Sequence, residues 1–161
     1  MPLGKLKEFL DRQNIRYVSV AHSTAYTAQQ IAALTHVPGK EMAKTVILRM
    51  DDALAMAVLP ASYQVDIAAL KAASGAKTIR LASEAEFKDR FPDCETGAMP
   101  PFGNLYGMAV FVEESLAKDK DISFNAGSHN ELVRLSWDDF QRLVKPTLLK
   151  FSAERASAPA A

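Results

Sequence analysis

Residues 44–59 read KTVILRMDDALAMAVL, and this stretch decides the fold class of the chain. Two runs rich in aliphatic and β-forming residues, 44–50 and 53–59, flank the polar pair Asp51-Asp52. Such runs around a two-residue polar break are typical of a β-hairpin, although the turn lacks the favoured glycine. We therefore expect a sheet that is built around this hairpin.

Capping and periodicity signals place further elements on both sides of the hairpin. The predicted strands span 17–20, 77–81, 108–112, 122–125 and 132–135. The predicted helices span 3–13, Thr27 to about Gly39, an Asp66 cap to Gly75, a Ser83–Glu86 capping box to Pro92, a short piece near Glu114, and a Ser136 cap to Pro146. This order predicts one compact α/β domain of the α+β type over residues 1–150. Residues 151–161 are predicted to be a disordered tail, because Ala, Ser and Pro dominate there.

Composition excludes several classes of protein. The chain has 161 residues, 19 Lys plus Arg against 19 Asp plus Glu, and one cysteine, Cys94. A single thiol forms no intrachain disulfide and no four-cysteine zinc site. The zero net charge argues against a broad electrostatic contact with duplex nucleic acid. No apolar run approaches the roughly 20 residues of a membrane span, so we expect a soluble protein of the cytoplasm.

Standard catalytic motifs are absent. The sequence holds no Gly-x-Ser-x-Gly elbow, no Walker-type phosphate loop, no His-Glu-x-x-His and no dinucleotide fingerprint. Its three histidines have no metal-ligand spacing, so neither a metal nor a cofactor is expected.

Lys44 is the first candidate for a functional residue. Strand alternation places it on the apolar face of Val46, Leu48 and Met50. A lysine at the edge of such a face either extends its ammonium to water or holds an anion such as phosphate or carboxylate. Spacing alone favours the first interpretation.

Two glycine-containing segments are the other candidates. Gly97-Ala98-Met99-Pro100-Pro101-Phe102-Gly103 presents a stiff wall of backbone groups, or else simply packs Phe102 on the core. The turn 124–130 carries His129, which could donate a hydrogen bond or titrate near neutrality, although an isolated histidine is more often a surface residue.

The order of five motifs over about residues 3–146 resembles the YbaK/EbsC family of aminoacyl-tRNA deacylases, which is related to the editing domain of bacterial prolyl-tRNA synthetase. The motifs are Ala21-His22 before Tyr26-Thr27, Ala43-Lys44-Thr45, Leu59-Pro60-Ala61, Gly97 to Gly103, and Gly127-Ser128-His129.

The resemblance implies a mixed, partly barrel-like sheet flanked by helices, and hydrolysis of the ester that joins a mischarged amino acid to the tRNA 3′ end. Lys44 matches the family's functional lysine, which engages the terminal nucleotide. Gly97 and Pro101 match the ends of the loop whose backbone lines the aminoacyl pocket. These three are the predicted catalytic residues. The predicted substrate-binding residues are His22, Tyr26, Thr45, Ala98, Met99, Pro100, Phe102, Gly127, Ser128 and His129.

The expected partner is the acceptor end of a tRNA that carries a small, mischarged amino acid, with tRNA-Pro as a candidate, together with a synthetase or elongation factor. Two alternatives stay open. The chain could be a non-catalytic module that binds an aminoacyl group or nucleotide beside a synthetase, or a hydrolase of small aminoacyl esters. An aminoacyl ester is already activated, so the enzyme interpretation requires no side-chain nucleophile.

Overall fold

The computed structural model describes residues 4–21, 42–92, 94–95, 97–128 and 130–154. Its helices are α1 (Gly4–Arg12), α2 (Ile67–Ser74), α3 (Glu84–Phe87) and α4 (Trp137–Val144), with 3₁₀ turns at Lys88–Arg90, Gly103–Leu105 and Glu114–Lys118. Its strands are β1 (Tyr17–Ala21), β2 (Ala43–Met50), β3 (Ala53–Pro60), β4 (Tyr63–Val65), β5 (Ile79–Leu81), β6 (Ala109–Glu113), β7 (Asp121–Asn125), β8 (Glu131–Ser136), β9 (Thr147–Leu149) and β10 (Ser152–Glu154).

The predicted hairpin is present as β2 and β3, which pair antiparallel from Ala43 opposite Pro60 to Met50 opposite Ala53. Its turn residues Asp51 and Asp52 have φ of 46° and 75°. Positive φ at both central residues is the conformation of the type I′ turn, which matches the twist of the strands. Aspartate tolerates this region, so the hairpin closes without glycine.

The sheets combine antiparallel and parallel pairs. A five-stranded sheet has the order β5-β2-β3-β6-β9, in which β2 runs antiparallel to both β5 and β3, whereas β3, β6 and β9 run parallel to one another. A three-stranded antiparallel sheet has the order β1-β8-β7, and a short two-stranded sheet pairs β10 with β4. A single parallel bridge from Met42 to Ser123 brings the start of β2 beside β7. The domain is mixed α+β with helices flanking the sheets, as predicted, and the sheets formed by the described strands do not close into one barrel.

Alternation along β2 and β3 divides the buried side chains between two cores. The main core contains Ala43 and Ile47 of β2 together with buried residues of α1, α4 and the three-stranded sheet. The second core takes Leu48 and Met50 of β2 and lies under α2 and Phe151. Burial on both faces explains why these strands read as nearly continuous apolar runs.

Local capping signals were read correctly from the sequence. Asp66 accepts the Ala69 N–H at 3.0 Å, and Gly75, with φ of 77°, ends α2. The Ser83–Glu86 capping box is formed. Hydrogen bonds from the Arg80 guanidinium and from the Ser83 backbone N–H lower the pKa of Glu86 from 4.5 to about 2.

The C-terminal end corrects the predicted boundary of the tail. Phe151 is 1% exposed, and Ser152–Glu154 form β10, so these residues belong to the fold. Their backbone is held by the buried carboxylate of Glu113. Its Oε1 accepts hydrogen bonds from Phe151 N–H at 3.1 Å, Ser152 N–H at 2.9 Å and Ser152 Oγ–H at 2.7 Å.

Replacing Glu113 with alanine is expected to lower the free energy of unfolding by about 2 kcal/mol, because partly buried donors lose their acceptor. Glu113→Gln keeps an acceptor oxygen at this position, so we expect it to lose less than about 1 kcal/mol. Urea unfolding of the three proteins measures both values. Equal losses in the two variants would contradict the assigned role of Oε1.

The helix predicted from Thr27 to Gly39 lies outside the described residues. Within the described ranges, no helix combines the length and the hydropathy that crossing a bilayer requires.

Candidate functional site

Three predicted segments meet around the C-terminal end of β7. The start of β2, with Lys44, lies beside β7 through the Met42–Ser123 bridge. The turn that contains Gly127 follows β7 directly, and the loop 97–103 is hydrogen-bonded to that turn. The fold therefore brings together residues that are more than 80 positions apart in the sequence.

Lys44 is half-buried near the start of β2 and pairs with Leu59 of β3. Paired residues on adjacent strands share a face, and Leu59 belongs to the second core. The side chain of Lys44 thus leaves β2 on the face of the second core, at the end where that face approaches β7. A partly desolvated ammonium at such a place interacts more strongly with an anion than an exposed one does.

Thr45 lies on the opposite face of the same strand. It pairs with Val58, a residue of the main core. Lys44 and Thr45 are therefore adjacent in sequence but are placed on different sides of the sheet.

The backbone of the loop begins with a tight turn. The Ala98 N–H donates to the Glu95 carbonyl at 3.0 Å, which closes a four-residue turn whose third residue is Gly97. Gly97 has φ of 86°, the value that a type II turn requires at this place and that favours glycine. Gly97 is exposed, whereas the four residues that follow it, 98–101, are buried.

The side chains of the loop anchor it in the main core. Phe102 is 0% exposed and its ring lies 5.5 Å from Phe140, 5.6 Å from Phe124 and 6.2 Å from Phe9, measured between centroids. Met99 belongs to the same core. The side chains of Phe102 and Met99 are therefore committed to the main core, while Gly97 is exposed.

Backbone hydrogen bonds join the loop to the turn after β7, and we refer to them as the loop–turn contact. The Gly127 N–H donates to the Ala98 carbonyl at 2.7 Å, and the Glu95 N–H donates to the Gly127 carbonyl at 2.8 Å. Gly127 has φ of 97°. Two short, reciprocal bonds hold the predicted pocket segments at a fixed separation.

The remaining predicted residues divide into two groups. Ser128 is 6% exposed, and its Oγ accepts the Asn130 N–H at 3.2 Å, so it stabilises the turn. His22, Tyr26 and His129 lie outside the described residues. Among the residues that the structure does describe, no group of three His, Cys, Asp or Glu side chains could hold a metal ion.

Asn125 is a polar residue at this place that the sequence analysis did not single out. It is the last residue of β7, and its Oδ1 is buried without a hydrogen-bond partner among the residues that the structure describes. In the sequence it reads only as part of a turn, and no local pattern distinguishes it from a surface asparagine.

Comparison with known proteins gives a match over most of the chain. The family model described as the aminoacyl-tRNA editing domain matches residues 22–143. Two proline--tRNA ligases of Bacillus cereus, strains AH187 and G9842, are each 21% identical to the chain, over 89 and 107 residues. These matches cover 55% and 66% of this chain but only 16% and 19% of the ligases.

Solved structures show the same fold. The structure described as a "putative trans-editing enzyme for prolyl tRNA synthetase" superposes with a TM-score of 0.81 at 15% identity, covering 94% of this chain and 97% of that one. A crystal structure of a hypothetical protein superposes with a TM-score of 0.82 at 20% identity, covering 92% and 99% of the two chains.

Proposed function

Because the chain belongs to the aminoacyl-tRNA editing domain family, we propose that it is a trans-editing deacylase, which hydrolyses the ester bond of a mischarged tRNA. The amino acid is small, and tRNA-Pro is the first tRNA to test. The observation that carries this proposal is the loop–turn contact, which fixes the backbone of the loop 97–103 against the turn after β7. The start of β2, where Lys44 lies, is next to β7.

Lys44 has the role of anchoring the terminal nucleotide of the tRNA. Its ammonium neutralises the charge of a nearby phosphate, and its partial burial strengthens that attraction. This interaction brings the ester to the end of β7 and reduces the entropy cost of the reaction.

The backbone of Gly97 to Pro101 has the role of holding the aminoacyl group and the attacking water. Hydrolysis of an ester passes through a tetrahedral oxyanion, which fixed backbone N–H donors stabilise without reorganisation. Pro100 and Pro101 have no N–H, and the Ala98 N–H is bonded to the Glu95 carbonyl, so the donors that this loop offers are the N–H groups of Gly97 and Met99. The loop–turn contact supplies that rigidity. His129, whose place in the sequence is two residues after Gly127, limits the size of the amino acid.

The reaction itself needs no side-chain nucleophile. Water attacks the ester carbonyl, the bond between the carbonyl carbon and the ribose oxygen breaks, and the ribose oxygen takes up a proton. The products are the free amino acid and an uncharged tRNA. With a tRNA as substrate, the place of action is the cytoplasm, and a synthetase or elongation factor is the partner that delivers the substrate.

The test is a panel of substrates at equal concentration. Alanyl-, seryl- and cysteinyl-tRNA-Pro are compared with prolyl-tRNA-Pro and with small aminoacyl esters, and release of the radiolabelled amino acid is measured. We expect at least one mischarged tRNA to be hydrolysed at least about tenfold faster than prolyl-tRNA-Pro, since even one methylene in a pocket is worth about 10–200-fold.

The other outcomes separate the alternatives. Equal turnover of small esters and tRNAs would identify a general hydrolase of aminoacyl esters. Binding of the charged tRNA without turnover would identify a non-catalytic module. Either result contradicts the proposal.

A further inference from the structure

The C-terminal end of β7 carries a buried acceptor that lacks a donor. Oδ1 of Asn125 is closed to water, and none of the described residues gives it a hydrogen bond. Buried polar atoms in folded proteins are nearly always paired, so an unpaired one calls for an explanation. Asn125 as a residue is half-buried rather than fully enclosed.

The register of the strands places Asn125 near Lys44. Met42 and Ser123 form a parallel bridge, and Lys44 and Asn125 each lie two residues further along the same direction. Residues two apart on a strand share a face. Lys44 and Asn125 therefore project to the same side of the joined strands, away from the main core that Phe124 and Ala126 enter.

The two backbone carbonyls of the loop–turn contact are already engaged. The Gly127 carbonyl accepts the Glu95 N–H, and the Ala98 carbonyl accepts the Gly127 N–H. Asn125 Oδ1, two residues before Gly127, is an acceptor at this end of β7 that a ligand can use without breaking the contact.

We propose that Asn125 binds the α-ammonium group of the aminoacyl ester. This inference rests on the proposed deacylase function and extends it to a substrate-binding residue. The loop beside Gly127 is assigned to the aminoacyl group and Lys44 to the nucleotide, so Asn125 is placed nearer the aminoacyl end. An ammonium is a charged donor, and charge-assisted hydrogen bonds are roughly twice as strong as neutral ones.

The bound state relieves a cost that the free protein carries. Rotation about the Cβ–Cγ bond of asparagine has a broad energy profile, so Oδ1 can turn toward a ligand bound at this end of β7. An ammonium then supplies the missing donor. A ribose hydroxyl could also donate, and the experiment separates the two donors.

The experiment compares alanyl-tRNA-Pro with N-acetylalanyl-tRNA-Pro, in which the ammonium has become a neutral amide. Wild type and Asn125→Ala are assayed on both, and kcat/KM is measured. We expect acetylation to lower the wild-type value about 10- to 100-fold, and Asn125→Ala to lower it similarly on the free-amine substrate. In Asn125→Ala, acetylation should then change kcat/KM by less than about threefold, because both changes remove the same interaction.

Two further variants control for acceptor chemistry and for folding. Asn125→Asp keeps an oxygen acceptor, so it should retain activity on the free amine within about threefold and should discriminate more strongly against the acetylated substrate. Ser123 lies on the same face of β7, and its fully buried Oγ also has no partner within the described part of the chain, so Ser123→Ala is the folding control. Removing that hydroxyl leaves no group unpaired, so its activity should equal that of wild type.

Three results would overturn the inference. Asn125→Ala could leave kcat/KM unchanged, it could lower the value equally on both substrates, as a contact to ribose or a structural role predicts, or Asn125→Asp could lose as much activity as Asn125→Ala. A wild-type protein that is inactive on every aminoacyl-tRNA of the panel would instead reject the proposed function, and the inference with it.

Discussion

Replacing Lys44 with methionine or alanine is expected to reduce deacylation of the best mischarged tRNA by about 100-fold or more, while the protein stays folded. Removing one oxyanion-hole donor costs an enzyme about 10²- to 10³-fold in kcat, and a misplaced substrate costs about 10²-fold, which is the scale expected for a lysine that positions the ester. Methionine keeps an unbranched stem against Leu59 and removes only the ammonium. Single-turnover deacylation at saturating protein separates a loss of chemistry from a loss of binding.

Lys71→Met is the matched control for Lys44→Met. Lys71 is exposed on α2, so the same change of charge is made away from the site. Its rate should stay within about twofold of wild type, as is usual for surface substitutions. Full activity of Lys44→Met, with an unchanged melting temperature, would remove Lys44 from the proposed mechanism.

Replacing Gly103 with alanine is expected to destabilise the protein by about 3 kcal/mol or more, an effect at the upper end of overpacking. An added Cβ would meet the backbone carbonyl oxygen of Met108, and it would lie 2.5 Å from Cγ2 of Val110. The carbonyl cannot move aside without shifting the start of β6. For a chain of this size the melting temperature should fall by about 6–12 °C.

Gly4→Ala is the corresponding control. It lies at the start of α1, where a Cβ would have no atom within 4 Å. Alanine has the higher helix propensity, so the melting temperature should stay equal or rise slightly. Equal melting temperatures of Gly103→Ala and Gly4→Ala would contradict the close packing between Gly103 and β6.

Elements with local signals were predictable from the sequence. The hairpin 44–59 and the caps at Asp66, Ser83 and Ser136 depend on residues within a few positions of each other, and each is present. Alternation also placed Lys44 on the face of Leu48 and Met50, and those two residues pack in the second core.

Elements that form only through contacts with distant parts of the chain could not be predicted from the sequence. The strands β9 and β10 have three residues each, and they form because β6 and β4 offer partners and because Glu113 holds Phe151 and Ser152. The parallel pairing of β3 with β6 joins residues about 54 positions apart, for which the sequence contains no local sign. The order of the strands therefore had to come from the structure.

In the candidate site, too, residues with a local sequence signal were predictable, whereas contacts between distant residues were not. Residue types indicated Lys44 and the loop 97–103, but the loop–turn contact consists of backbone atoms that every residue possesses. The sequence therefore could not show that Gly127 and Ala98 touch. It also could not show that Phe102 and Met99 pack in the main core while Gly97 stays exposed.

The reciprocal bonds between Ala98, Glu95 and Gly127 have an evolutionary consequence. A lengthened or shortened loop on either side would break two hydrogen bonds at once, so insertions and deletions there should be selected against together. A change in the amino acid that the protein accepts should arise instead from substitutions of single side chains, with the lengths of both segments unchanged. Engineers who wish to alter the accepted amino acid should accordingly keep both segment lengths constant and vary residues around them.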